Sequence, residues 1–173
     1  MIVTKDYNKK IEKEYFFITG KLKLDCNYYK EKIKKSCSSD DNMNYITNIK
    51  SLMTPFNFFV QDKNFQKLLY PIVDYIELNY NLEKFGMHQA WGFEVKPREK
   101  TDYHDHSGCL WSGVIYLNSS NQTLNFPEIR EKIKPEPGVF GVFSSFLRHG
   151  CEKNPDDFSK LGMSFNCRVV KPW

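Results

Sequence analysis

Residues 103–117 read Tyr-His-Asp-His-Ser-Gly-Cys-Leu-Trp-Ser-Gly-Val-Ile-Tyr-Leu. It contains His104 and His106, two of the four histidines in the sequence. On a strand, side chains at i and i+2 project to the same face, so both imidazoles can reach one target. A third histidine, His149, follows a later β-rich segment. Because imidazole binds iron, zinc, copper and nickel, the pattern predicts a metal site.

The second half of the chain has the alternating pattern of β-strands. After Gly86, the residues Met87, Trp91, Phe93 and Val95 alternate with other side chains along one segment. Short strands separated by turn residues are typical of barrels and sandwiches. We therefore expect a mainly β protein with N-terminal helices (α+β), built on a double-stranded β-helix of the cupin-like jelly-roll type. The further predicted strands are Leu110–Asn118, Gln122–Phe126, Val139–Phe143 and Leu161–Val170.

The first half predicts a scaffold of one strand and two helices. Alternation predicts a strand over Tyr15–Asp25, and a Lys-rich helix is expected over Asn27–Cys37. Apolar residues at steps of three and four predict a second helix from about Asp62 to Asn79, bent or restarted at Pro71. Residues Ser38–Asn44 are expected to form a polar loop.

Length and composition indicate one domain. The 173 residues, 40% hydrophobic and 16% aromatic, can build a substantial core. We expect a single domain over 1–173, with a strand and helix scaffold over 1–85 and the β-helix core over 86–173. A formal charge of +4 without a basic stripe gives no indication of nucleic-acid binding. Exposed edge strands leave room for a homodimer.

The cysteines and the start of the chain favour a cytoplasmic protein. The chain has five cysteines and no C-x-x-C pair. It opens with neither a signal peptide nor a long apolar run, so no membrane association is expected. Cys109 and Cys151 flank the histidines and are candidate soft ligands, although small buried apolar side chains are the commoner role for cysteine.

Four blocks of sequence carry a family resemblance. Their order and spacing resemble a family of 2-oxoglutarate/Fe(II)-dependent oxygenases whose signature runs H-x-H, S-G-V-Y-Y-L, F-P-S-x-L-x-H and R-x-S-x-S-F-N. The likeness covers about residues 88–167, and Ser144 and Gly162 stand where that signature has Pro and Ser. The blocks are Tyr103-His104-Asp105-His106, Ser112–Leu117, Phe143-Ser144-Ser145 leading to His149, and Ser164-Phe165-Asn166.

The resemblance implies a reaction and a set of roles. It implies Fe(II) as the metal, 2-oxoglutarate as a chelating cosubstrate, and O2, with hydroxylation of an unidentified small molecule or peptide as the outcome. His149 would be the distal ligand. Lys160, eleven residues later, would bind the far carboxylate of 2-oxoglutarate in the slot where the signature has Arg. Tyr116 and Ser164 would add hydrogen bonds to the cosubstrate, and Arg168 is an alternative anchor.

The ligand set has three possible assignments, because most of these oxygenases carry H-x-D or H-x-E. In the first, His104, His106 and His149 form a three-His face. In the second, Asp105 supplies a carboxylate, although neighbouring strand residues face opposite ways. In the third, His106 and His149 form a two-His site with Gly108 in the empty carboxylate slot.

Two other functions fit part of the pattern. A cupin-type three-His metalloenzyme would need no 2-oxoglutarate, but the cupin pattern has a Glu where this chain has Leu110 and Trp111. A non-catalytic jelly-roll module that binds a metal or another ligand is the other alternative. The role of His88 stays open. Candidate walls for a substrate are Trp91, Arg98, Tyr103 and Trp111.

Overall fold

Two antiparallel sheets face each other in the computed structural model, which describes residues 14–37 and 52–170. The major sheet has the strand order β1-β8-β5-β10-β3-β2, and the minor sheet has the order β4-β9-β6-β7. The strands are β1 Phe17–Lys21, β2 Leu52–Met53, β3 Phe85–Val95, β4 Thr101–His104, β5 Trp111–Tyr116, β6 Leu124–Phe126, β7 Glu131–Ile133, β8 Val139–Ser144, β9 His149–Cys151 and β10 Lys160–Val169.

The space between the sheets is filled by alternate residues of the strands. Trp91, Phe93 and Val95 project into it from β3, and Val114 and Tyr116 project into it from β5. This is the period of two that the sequence predicted. Burying such a side chain contributes roughly 1.5–3 kcal/mol, so this layer supplies a large part of the driving force for pairing the sheets.

Two helices cover the outer face of the major sheet. They are α1, Cys26–Cys37, and α2, Lys63–Asn79. The apolar stripe of α2, which includes Phe65 and Ile76, lies in one core cluster with Phe165 of β10. The predicted architecture, mainly β with helices on one face of the jelly roll, is therefore confirmed. No helix within the described ranges is both long and apolar enough to cross a membrane.

Near the N-terminus, the predicted strand is longer than the observed one. The sequence predicted Tyr15–Asp25, whereas β1 spans Phe17–Lys21 and pairs with β8. The Asp25 carboxylate accepts hydrogen bonds from the backbone N–H groups of Asn27 and Tyr28, at 3.0 and 3.1 Å. Asp25 therefore caps the start of α1 instead of ending a strand.

Of the bend or restart predicted at Pro71, the restart does not occur. The helix runs through this exposed residue from Lys63 to Asn79, and the Asp62 carboxylate caps its first turn. The predicted loop Ser38–Asn44 lies outside the described residues. Both β1 and β2 join the major sheet, so the segment before residue 86 contributes strands as well as helices.

Candidate metal centre

His104 and His149 are direct cross-strand neighbours. They are paired in the register of β4 with β9, and their ring centroids lie 4.7 Å apart. Nδ1 of His104 is 2.7 Å from the carbonyl oxygen of Asp102, and Nδ1 of His149 is 2.8 Å from that of Leu147. A carbonyl can only accept, so each Nδ1 carries the proton and each Nε2 keeps a free lone pair.

His106 reaches the pair from beyond the end of β4. The strand ends at His104, so the i, i+2 parity of a strand is not what aligns the two rings. Instead, the His106 N–H donates to the carbonyl of Ser145 at 2.9 Å, and its own carbonyl accepts from the N–H of Cys109 at 3.0 Å. This turn places the ring centroid of His106 5.0 Å from that of His104 and 5.1 Å from that of His149.

The three imidazoles form a donor set that suits a divalent transition metal. One ring nitrogen from each of His104, His106 and His149 lies within 4.8 Å of the other two. Burial and then the neighbouring imidazoles lower the pKa of His106 to about 4 and that of His149 to about 3. Both rings are therefore neutral near pH 7, and neutral imidazole is the form that binds a metal.

The alternative carboxylate, Asp105, faces solvent. Its Oδ1 accepts from the N–H and the hydroxyl of Ser107, at 2.9 and 2.5 Å, and these bonds hold the pKa of the carboxyl below its usual value. Gly108 has φ +91°, and a Cβ built on it would have no neighbour within 4 Å. Among the described residues, the group whose ligand atoms lie close enough to share a metal contains the three histidines and not Asp105. Which of the three ligand assignments is correct stays a prediction.

A cavity opens beside the imidazoles between the two sheets. It holds about 490 Å³ of space not filled by atoms, part of it open to solvent. Its walls are mostly apolar, with the histidines on one side and Lys160, Tyr116 and Ser164 among the other lining residues. The remaining lining residues are Trp91, Phe93, Thr101, Gly113, Val114, Leu124, Phe143 and Cys151.

Lys160 is almost completely buried, with 2% of its surface exposed. Its Nζ donates to Sγ of Cys151 at 3.3 Å and to the carbonyl oxygen of Gln122 at 3.4 Å, and it lies 5.8 Å from the centre of the Tyr116 ring. Burial lowers the pKa of Lys160, and the nearby Cys151 and Asp156 oppose that shift. None of these contacts is a close pair with a carboxylate, so the ammonium can still take an anionic partner.

Arg168, the alternative anchor, lies at the other end of β10. It is exposed and is paired in register with Gly86. Ser164 lies on β10 between Lys160 and Arg168. It lines the cavity and is paired in register with Trp91 of β3. A Cβ on Gly162 would lie 2.5 Å from Cζ of Phe93, which accounts for glycine where the family signature has Ser.

The other sequence candidates are spread over the molecule. His88 is exposed on β3, and Trp91 lines the cavity. Trp111 is buried under the helices, in a cluster with Phe165. Arg98 is exposed and pairs with Asp157, Tyr103 packs against Gly150, and Cys109 is half-buried in the turn that follows His106.

The fold is similar to solved structures of 2-oxoglutarate-dependent oxygenases. For the 2OG complex of the viral collagen prolyl hydroxylase vCPH from Paramecium Bursaria Chlorella virus-1, the TM-score is 0.71 at 15% identity, covering 89% of this chain and 96% of that one. For a Pseudomonas putida prolyl-4-hydroxylase, the TM-score is 0.66 at 14% identity, covering 90% of this chain and 93% of that one. For EctD from S. alaskensis, solved with 2-oxoglutarate and 5-hydroxyectoine, the TM-score is 0.63 at 12% identity, covering 90% of this chain and 72% of that one.

These similarities confirm the double-stranded β-helix. No family model matches the sequence, and no curated protein matches it either. Because the sequence identities are low, the structural likeness establishes the fold, whereas the activity depends on the chemistry of the site.

Several residues of the cavity carry no signal that sequence reasoning could use. Thr101 and Cys151 are paired in the register of β4 with β9, further along the same two strands than the pair of His104 and His149. Gln122 reaches Lys160 through its backbone carbonyl, an atom that every residue has. The sequence marks only Cys151 among them, as a soft ligand or a buried side chain, and its contact with Lys160 depends on the packing of the minor sheet against the major sheet.

Proposed function

We propose that this chain is a 2-oxoglutarate- and Fe(II)-dependent dioxygenase that hydroxylates an unidentified small molecule or peptide. The observation that carries the proposal is that three clustered imidazoles and a buried lysine line the same cavity. Among the described residues that line it, none is a carboxylate. A metal and Lys160 would therefore both require negative charge from a ligand, and a dicarboxylate supplies one carboxylate for each.

In this proposal, each residue has a defined task. His104, His106 and His149 would hold the metal, and two of them are fixed by backbone carbonyls. Lys160 would bind the far carboxylate of 2-oxoglutarate, with Tyr116 and Ser164 beside it. Bound Fe(II) would supply the redox chemistry by which R–H, 2-oxoglutarate and O2 give R–OH, succinate and CO2.

The apolar walls support the same function. Trp91, Phe93 and Phe143 are each at most 5% exposed and lie around the imidazoles. Such walls limit the access of water and strengthen the attraction between Lys160 and a carboxylate. They also orient a substrate C–H bond by shape, which a hydroxylase requires.

A second candidate is a three-His dioxygenase that does not use 2-oxoglutarate. The grouping of three imidazoles, with Asp105 directed to solvent, favours it. It gives no role to Lys160, whose burial costs free energy without a close carboxylate partner. Binding of 2-oxoglutarate therefore discriminates between the two candidates.

The test is equilibrium binding of 2-oxoglutarate to the Mn(II)-loaded protein, measured by calorimetry. We expect binding with one site per chain, and much weaker binding of glutarate, which has both carboxylates but lacks the keto oxygen for chelation. Lys160→Met should weaken 2-oxoglutarate binding at least tenfold, because it leaves a carboxylate buried without its cation.

Arg168→Ala is the matched control, since Arg168 is the other candidate anchor and is exposed at the far end of the same strand. It should bind 2-oxoglutarate as the wild type does. Equal binding of glutarate and 2-oxoglutarate, or an intact affinity in Lys160→Met, would count against the proposal.

A further inference from the structure

A polar cluster with two buried members and one half-buried member lies next to His106. It consists of Asn166 on β10, Gln89 on β3 and Ser112 on β5, and we call it the Asn166 cluster. The Asn166 amide is 2.7 Å from Oγ of Ser112 and 2.9 Å from the Gln89 amide. It is also 3.5 Å from Nδ1 of His106. Asn166 is only 3% exposed, so each of its polar atoms needs a partner within the protein.

The cluster can satisfy its hydrogen bonds in two ways. In the first, the Ser112 hydroxyl donates to the Asn166 oxygen, and the Asn166 NH2 donates to the Gln89 oxygen and to His106 Nδ1. In the second, both amides are turned over. The Asn166 NH2 then donates to Ser112, and the Asn166 oxygen accepts from the Gln89 NH2 and from His106 Nδ1–H. Oxygen and nitrogen have nearly the same shape in an amide, so both arrangements fit the same space.

The two arrangements differ in where His106 carries its proton. In the first, Nδ1 accepts, so a neutral ring must carry its proton on Nε2, and that nitrogen has no lone pair for a metal. In the second, Nδ1 carries the proton and Nε2 is free. A metal at Nε2 of His106 is compatible only with the second arrangement.

We propose that Asn166 is a positioning residue that sets the tautomer and orientation of His106, with its amide oxygen accepting from Nδ1–H. His104 and His149 receive the same support from the backbone carbonyls of Asp102 and Leu147. For His106, the support comes from a side chain held by two other strands. The inference deepens the proposed function and rests on its metal site.

The first test is Co(II) affinity, measured by competition with a chromophoric chelator. Asn166→Leu keeps the approximate volume but removes the acceptor, and it should lower Co(II) affinity about 10- to 100-fold. Asn166→Asp keeps an acceptor and should bind Co(II) at least as tightly as the wild type. Ser112→Ala removes the other partner of Asn166 without touching His106, and should change the affinity less than threefold.

The second test separates orientation from a general loss of structure. In the Zn(II)-loaded wild type, 15N NMR should show three imidazole Nδ1–H groups protected from solvent exchange, one for each of the three histidines. Asn166→Leu should lose the protected signal of His106 alone, and Asn166→Asp should restore it. Unchanged protection in Asn166→Leu, or unchanged Co(II) affinity, would overturn the inference.

Failure of the inference is distinguishable from failure of the proposed function. If His106→Ala binds Co(II) as tightly as the wild type, His106 is not a ligand and the role of Asn166 is overturned, while 2-oxoglutarate binding still tests the proposed function. If the wild type binds no Co(II) at all, both are overturned.

Discussion

Lys160 is the residue whose burial most needs an explanation. It is 2% exposed, and its nearest polar partners are a thiol and a carbonyl rather than a carboxylate. A buried ammonium without a close counter-ion costs several kcal/mol before any partial compensation. A side chain that serves only packing would be apolar here, so the cost is understandable if an anion completes the site.

We therefore expect Lys160→Met to stabilise the metal-free protein while weakening 2-oxoglutarate binding. The free energy of unfolding at pH 7, measured with urea, should rise by about 1 kcal/mol. Burial lowers the pKa of Lys160, so the native ammonium loses its proton before the lysine of the unfolded chain does, whose pKa is near 10.5. The wild type thus gains stability as pH rises towards 10.5, and the advantage of the variant should shrink over that range.

Lys153→Met is the control, because Lys153 is an exposed lysine in the connection that leads from β9 to Lys160. It should change stability by less than about 0.5 kcal/mol. A loss of stability in Lys160→Met greater than 1 kcal/mol would show that the ammonium is satisfied by its protein contacts.

At the scale of elements, the contact of α1 with β3 fixes how the helices sit on the major sheet. A Cβ built on Gly92 would lie 2.3 Å from Cγ1 of Ile33, which is fully buried. The backbone N–H of Gly92 donates to Oγ1 of Thr54 at 2.9 Å, which further fixes this part of β3. The absence of a side chain at Gly92 is what lets the helix approach the strand so closely.

Gly92→Ala should therefore destabilise the protein by about 1–3 kcal/mol through overpacking. Ile33→Ala alone should cost about 2–5 kcal/mol by leaving a cavity. The double variant should cost less than the sum, by about 0.5–3 kcal/mol, because the new methyl group fills part of the space. Gly86→Ala on the same strand is the control. Its Cβ would lie 3.1 Å from Cγ2 of Val170, an exposed side chain that can move aside, so this variant should cost much less stability than Gly92→Ala.

The long elements could be predicted from the sequence, whereas the short strands β2, β7 and β9 could not. The strand predicted over Leu161–Val170 is observed as Lys160–Val169, because alternation over ten residues is a strong signal. Strand β9 has three residues, His149–Cys151, and β2 has two. Such strands form only because they pair with neighbouring strands. Two or three residues are too few to show the alternation of apolar and polar side chains that identifies a strand in a sequence.

The sequence predicted which residues form the candidate site, but not the contacts that hold them in position. The three histidines and Lys160 were singled out, and they line one cavity. The turn that carries His106 depends on a hydrogen bond to Ser145, far along the chain. The contact of Asn166 with His106 likewise joins residues that are sixty positions apart, which no local pattern reports.

At the scale of the whole molecule, the candidate ligands come from both sheets. His104 and His149 lie on the minor sheet, whereas Lys160, Ser164 and Tyr116 lie on the major sheet. A metal with a bound dicarboxylate would therefore link the two sheets. Ligands that bind only the folded state stabilise it, by about 2.7 kcal/mol at 100 times the Kd.

Hydrogen exchange should report this link in two steps. Zn(II) alone should protect the amides of β4 and β9, because its candidate ligands cluster there. Addition of 2-oxoglutarate should extend the protection to β5 and β10, which carry Tyr116 and Lys160. Protection of β10 by Zn(II) alone, with no further change on adding 2-oxoglutarate, would contradict a cosubstrate that joins the sheets.

An anaerobic titration of the Fe(II)-loaded protein with 2-oxoglutarate tests most directly whether the histidine cluster holds iron chelated by this cosubstrate. We predict a visible metal-to-ligand charge-transfer band that saturates with 2-oxoglutarate. The band should be absent in His149→Ala and unchanged in His88→Ala, whose imidazole is exposed on β3 outside the cluster. A folded, iron-replete protein without the band, or a band that survives in His149→Ala, would contradict the account.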